Sequence, residues 1–259
     1  MLHRSFVIAA LALLFLAACR DLRTELDATR HVHTLGDDSI TVVVLRGDQD
    51  GFSYINLHEN ETTSIGAAIE HVHRTGGRVV HLEQAGERNI RFSMGDSLFV
   101  FDPNRIFTDL GIRLTLEQLS EYSPAAHREV RSFRTFLLDI LNIAQEQPVI
   151  TVHNNTDGEY SILRYADGGT LSSEAMFVYV AHGEDPDDFF FVTEPEWFSA
   201  IRAAEFNVVV QDNLHVTDDG SLSVWCGHNE IPYVNVEAEH GHFEIQVRML
   251  DFLERMLTE

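Results

Sequence analysis

Short runs of apolar, β-branched residues alternate along the chain with stretches of helical periodicity, the pattern of an α/β domain. Runs at 40–45, 52–57, 78–82, 98–101, 149–152, 189–192, 207–210, 222–225 and 233–236 predict strands. A helix is predicted over 62–73, which opens with Thr and Ser capping residues and stops at Gly76-Gly77. A second is predicted over 125–144, where Val130, Phe133, Phe136, Leu137 and Ile140 recur at helical spacing. A third, over 243–257, gathers Ile245, Val247, Leu250, Phe252, Leu253 and Met256 on a broad apolar face. No internal repeat, low-complexity segment or proline-rich linker breaks this pattern, so 39–259 reads as one domain. Residues 19–38 are polar and charged without periodicity and read as a tether.

Residues 1–18 read as a secretory signal. His3 and Arg4 make a polar start, and the apolar run from Phe6 to Ala18 falls short of the about 20 residues a membrane-spanning helix needs. The run ends Leu16-Ala17-Ala18-Cys19, which resembles the lipobox of bacterial lipoproteins. The resemblance implies that Cys19 is acylated and anchors the mature chain to a membrane at the cell envelope, at the outer membrane or another extracytoplasmic face. Cys226, the other cysteine, then has no partner for a disulfide. Its apolar surroundings suggest a buried, inert thiol.

Charge narrows the partners. Forty-one acidic residues face 18 basic ones, a net of −23, and all 18 are arginine. Such a surface repels nucleic acid and excludes it as a partner.

Two strand ends carry the candidate chemistry. The predicted strand 52–57 is followed at once by His58, with Glu61 three residues on, where both side chains can reach one point. On its own a His-x-x-Glu pair is a weak signal, and capping of the next helix is its plain alternative. The buried-strand pattern at 149–152 also delivers a histidine, His153. A catalytic zinc site needs three protein ligands from nitrogen and oxygen donors and one open position. His58, Glu61 and His153 supply that set, each at or just past a strand end, where open α/β sheets place their ligands. Between them lies Asp102-Pro103-Asn104-Arg105, and Asn235-Val236-Glu237 closes a late strand.

In this order the motifs resemble those of zinc carboxypeptidases, with spacing most like the aspartoacylase and succinylglutamate desuccinylase branch. The resemblance runs from about residue 39 to the C-terminus and is carried by four short motifs. It implies an α/β fold with a mixed, mostly parallel sheet and helices on both faces, and one zinc ion per chain held by His58, Glu61 and His153. It further implies that Asn104 and Arg105 bind a substrate carboxylate and that Glu237 is the general base. An arginine upstream of the Asn-Arg pair would stabilise the developing oxyanion. Arg91 and Arg88 are both available, and Arg91 is preferred because Asn89-Ile90-Arg91-Phe92 alternates like a short strand. Glu239 is the rival of Glu237, since residues two apart on a strand share a face. No counterpart is evident for the tyrosine that many carboxypeptidases place near the substrate.

The expected activity is hydrolysis of an amide or peptide bond next to a free carboxylate, on a small peptide or an N-acyl amino acid. A non-catalytic, ligand-binding envelope lipoprotein of the same fold is the alternative, and the presence of Glu237 argues against it. Three His-x-His pairs complete the inventory. His31/His33 and His71/His73 read as solvated, whereas His240/His242 adjoins Glu237. Arg164 reads as an exposed arginine.

Overall fold

The computed structural model describes residues 26–143 and 147–259. Its strands are β1 (Asp27–Leu35), β2 (Asp38–Arg46), β3 (Ser53–Asn56), β4 (Arg78–Glu83), β5 (Ile90–Met94), β6 (Ser97–Phe101), β7 (Val149–Asn155), β8 (Ala175–Tyr179), β9 (Phe189–Val192), β10 (Asn207–Gln211) and β11 (Tyr233–Glu239). The α-helices among the described residues are α1 (Thr62–Thr75), α2 (Asp109–Leu119), α3 (Pro124–Leu141), α4 (Phe198–Ala203), α5 (Leu222–His228) and α6 (Phe243–Thr258). Nine strands form one mixed sheet in the order β1-β2-β4-β3-β7-β11-β9-β10-β8, and β5 and β6 make a separate hairpin.

The centre of the sheet is parallel. β4, β3, β7 and β11 run the same way, whereas β11 meets β9 in antiparallel fashion and β9 and β10 are parallel to each other. β7 is buried along its whole length and β11 along all but its last residue, as expected for strands covered on both faces. On one face Ile55, Val80, Phe191, Val209 and Tyr233 pack with residues of α2, α3 and α5. On the other, Tyr54, Val79, Ile150, Val208 and Val234 pack with α1, α4 and α6. The carboxyl ends of β3, β7 and β11 therefore open together between two helical layers, which is where a parallel sheet presents a site. No helix among the described residues is long and apolar enough to cross a membrane.

Four expectations are corrected. The tether predicted over 19–38 is shortened by β1, which pairs with β2 from end to end. An edge strand held by backbone hydrogen bonds needs few apolar side chains, and most of β1 is exposed, so polar composition hid it. The strand predicted over 222–225 is the first turn of α5. Ser221 caps it by accepting from the Val224 amide; Leu222 and Cys226, four residues apart, share one buried side of the helix, and Val224 is buried on the other, at the cavity. His71, read as solvated, is fully buried between α1 and α6. The signal over 1–18 and Cys19 lie outside the described residues, and the helix predicted to 144 stops at Leu141, where Asn142 takes a left-handed conformation.

Candidate metal centre

β3 ends at Asn56, and the next turn sets the geometry of the site. Asn56 Oδ1 accepts from the His58 amide at 3.0 Å, while its Nδ2 donates to Ser64 Oγ in α1 and to the Val152 carbonyl in β7. Glu61 occupies the N-cap position of α1, yet its side chain makes no capping hydrogen bond. It turns inward instead. Glu61 Oε1 lies 2.8 Å from His58 Nδ1, Glu61 Oε2 lies 2.9 Å from His153 Nδ1, and the two Nδ1 atoms are 3.2 Å apart. The Asn154 amide donates to Glu61 Oε2 at 3.1 Å, and Gln246 of α6 donates to the His153 carbonyl at 2.9 Å, so β7, α1 and α6 hold the cluster jointly.

These three residues are buried and could hold a metal ion. Ligands about 2.0–2.1 Å from a tetrahedral ion stand about 3.3 Å from one another; the two imidazole nitrogens are close to that separation, whereas Glu61 stands nearer, at hydrogen-bonding distance from both. His58 also has the outer partner that metal-binding imidazoles usually have, because its Nε2 lies 2.8 Å from Asp102 Oδ1. That contact leaves Nδ1 as the nitrogen facing the cluster.

Charges in the cluster are strongly coupled. Burial lowers His58, but Glu61 and Asp102 raise it more, to about 9. Burial lowers His153 and prevails there over the attraction of Glu61. Glu61 is held well below the usual carboxylate range, because His58 and His153 outweigh its burial. Asp102 is depressed likewise by His58, Arg105 and Arg88 against burial. Glu61 and Asp102 are thus already ionised, whereas a metal would have to displace the proton His58 holds, since imidazole ligates in its neutral form.

A cavity of about 700 Å³ opens over the cluster. Glu237 lines it and is 4% exposed, and the register places it opposite His153. Asn235 Nδ2 donates to Glu237 Oε2 at 2.9 Å. Burial, reinforced by Glu61, pushes the Glu237 carboxyl up to about 8, while Asn235, Arg88 and His58 pull it down. Glu239 is opposite Asn155, outside the cavity lining, with its carboxylate 3.7 Å from His242. Between the two candidates, Glu237 is the one at the cluster.

Asn104 and Arg105 also line the cavity, on a short turn over Pro103–Arg105. Asn104 Oδ1 accepts from the Leu222 amide at 3.1 Å. Arg105 donates to the Asn104 carbonyl at 2.8 Å and stands 3.6 Å from Asp219, with 38% of its side chain exposed.

Arg91 does not reach the centre, and the preference for it is corrected. β5 begins at Ile90, whose side chain and that of Phe92 enter the core, so Arg91 points outward on the exposed face. Arg88 precedes the strand, and the loop carries it to the cluster. It donates to Glu61 Oε1 and stands 3.6 Å from Asp102 Oδ2.

Several contributors escaped the sequence reading. Asp102 opens the same motif as Arg105, and the rule that a metal-binding imidazole leans on a carboxylate was the signal that could have marked it. Tyr160 and Tyr165 line the cavity with hydroxyls 2.6 Å apart and stack on Phe189, and Tyr233 joins them. Nothing local distinguishes these tyrosines from core residues. His240 lines the cavity, as does the exposed Arg164, whereas His242 pairs with Asp188 at 2.8 Å. Compared with known proteins, the chain matches no family model and no curated protein.

Proposed function

We propose that the chain is a zinc-dependent hydrolase of amide or peptide bonds next to a free carboxylate, similar to zinc carboxypeptidases and to aspartoacylase-like deacylases. One observation carries the reading: two imidazoles and a carboxylate converge on a point at the wall of a cavity that also holds Glu237 and Arg105. Zinc suits two nitrogens and one oxygen with an open fourth position. When bound, it supplies a Lewis acid that polarises a carbonyl and acidifies water.

The chain's own groups do the rest. Glu237 takes a proton from the attacking water and delivers it to the leaving amine. Arg88 holds Glu61 and Asp102 in place and brings positive charge beside the carbonyl oxygen as it becomes anionic. Arg105 offers a planar fork to a substrate carboxylate, with the Asn104 amide beside it. The paired hydroxyls of Tyr160 and Tyr165 form a polar wall on an aromatic base. We place this activity at the cell envelope, on a chain anchored through Cys19.

The test is a hydrolysis screen of the zinc-loaded protein against free-acid peptides and N-acyl amino acids, each beside its amidated counterpart. Free acids should be cleaved at least about tenfold better, and Arg105→Lys should remove most of that preference. A protein that holds zinc but cleaves neither set is not this enzyme.

A further inference from the structure

Gln211 ends β10 at a point where the pairing with β8 shifts register, between Val210 and Gln211. Irregularities of this kind re-aim a side chain, and they recur beside active sites. Gln211 is 1% exposed and lines the cavity together with Glu237 and Arg105.

The Gln211 amide is locked in one orientation. Its Nε2 donates to Asn213 Oδ1 at 2.9 Å and to the Ser223 carbonyl at 3.2 Å. Asn213 is itself oriented, because its Nδ2 donates to the Thr193 carbonyl at 3.0 Å. Turning either amide over would set donor against donor or acceptor against acceptor. Gly227 is what admits this clasp: a Cβ there would lie 2.6 Å from Asn213 Oδ1 and 2.7 Å from Gln211 Nε2. With both donors committed, Gln211 Oε1 is left buried and without a hydrogen-bond partner. Buried carbonyl oxygens are rarely left unpaired, and an orphan on a cavity wall marks a place where a ligand completes the network.

Position tells how far the ligand reaches. Glu237 is level with Phe189 of β9, which is level with Asn207 of β10, and Gln211 lies four residues beyond Asn207. Two strand spacings across and four residues along put the Cα atoms of Glu237 and Gln211 roughly 16 Å apart. Both residues line one cavity, so a substrate held at the cluster can extend to Gln211.

Building on the hydrolase reading, we propose that Gln211 is a specificity residue. Its Oε1 accepts a hydrogen bond from an N–H or O–H donor on the peptide substrate.

The experiment measures binding, so it does not depend on turnover. Acetylated pentapeptides with a free carboxyl end are prepared in pairs that differ at one position at a time. The pairs are Thr against Val and Asn against Leu for neutral donors, and Lys against norleucine for a cationic one. Affinities are measured by calorimetry on zinc-loaded Glu237→Gln as the parent, which binds peptide without cleaving it, and on the same protein carrying Gln211→Met or Gly227→Ala, with zinc content and thermal midpoint reporting integrity. At one position the donor-bearing peptide should bind the parent about 10–100-fold more tightly, the range for satisfying a buried polar group. Which pair shows it tells a neutral from a cationic donor. Gln211→Met should reduce that preference to within about threefold by weakening the donor peptide alone. Should Gln211→Met not fold, Gly227→Ala, which presses on the clasp, must lower the preference instead. No preference in the parent at any position, including no binding at all, overturns the proposal, because water alone then satisfies Oε1. A preference that survives in the variants overturns it as well. A clear preference when the unsubstituted chain cleaves nothing leaves the acceptor role standing and removes the hydrolase reading.

Discussion

His58 and His71 are both fully buried, and each is flanked by two carboxylates at almost identical distances. His58 has Glu61 and Asp102 at 2.8 Å, and His71 has Asp251 and Glu254 at 2.9 Å. The surroundings separate them. Glu61 is shared with a second imidazole, so three ligand atoms face one point on the wall of a cavity. Around His71 the third group is a cation, because Arg74 reaches Asp251 at 2.7 Å, and the edge-on ring of Tyr54 closes the other side. Burial leaves His71 below its ordinary value despite its two carboxylates, whereas His58 is raised. Carboxylates beside a buried histidine therefore do not define a metal site. Convergence of several donors on one accessible point is what makes the His58 cluster a candidate, even with Arg88 beside Glu61.

Metal affinity breaks or sustains this contrast most directly. His58→Ala should weaken zinc binding on the order of 10³-fold or more, since it removes one of three ligands. Asp102→Asn should cost roughly 10–100-fold through orientation of the His58 ring. His71→Ala should leave affinity unchanged. Competition with a chelator of known affinity measures all three, and equal losses for His58→Ala and His71→Ala would erase the distinction drawn here.

Turnover sharpens it next. Glu237→Gln should retain zinc and lose on the order of 10²–10⁴ in kcat, because an amide cannot take the proton from water. Glu239→Gln should change kcat less than about threefold, being a substitution at a half-exposed position away from the cluster. The opposite order of severity would assign the base to Glu239.

Stability should show what His71 contributes. His71→Ala leaves Asp251 and Glu254 without their shared partner and opens a void beside Tyr54. The expected loss is about 2–3 kcal/mol, from hydrogen bonds to two ionised carboxylates and the space the ring leaves in the core. Urea unfolding of the zinc-free protein measures it, and a loss below about 1 kcal/mol would make His71 a bystander.

The smallest effect is a pH dependence. In the zinc-free chain Glu237 has a folded value of about 8 against 4.5 for the free group. A raised carboxyl holds its proton in the folded state, so folding loses stability as pH climbs from the unfolded value through the folded one. Glu237→Gln removes that loss. Its stability relative to the parent should therefore rise by about 2 kcal/mol between pH 6 and pH 8. A flat difference across that range would mean that Glu237 is not raised.

The readable part of the site is the part written in local pattern. His58 and His153 each follow a mainly apolar run, as expected of strands buried on both faces, although β7 continues past His153 to Asn155. Glu61 lies one turn on from His58, and Glu237 likewise follows an apolar residue of β11, which continues to Glu239. Arg88 was passed over for Arg91 because alternation locates a strand face without saying which face meets the site. The burial of His71 was missed because its carboxylates lie 180 and 183 residues away in sequence, on α6. β1 was missed because backbone pairing at a sheet edge leaves little trace in composition.

By itself, then, the amino-acid sequence determined the α/β class, most of the sheet-forming segments and the strand ends that carry ligands, since these follow from short-range periodicity and burial. Tertiary structure alone decided the rest. It brought Asp102 behind His58, set Arg88 rather than Arg91 at the cluster, paired the hydroxyls of Tyr160 and Tyr165, and left one buried oxygen of Gln211 unmatched. Each of these depends on where separate elements meet and on which hydrogen bonds are already used when they do, and neither is a property of any single segment.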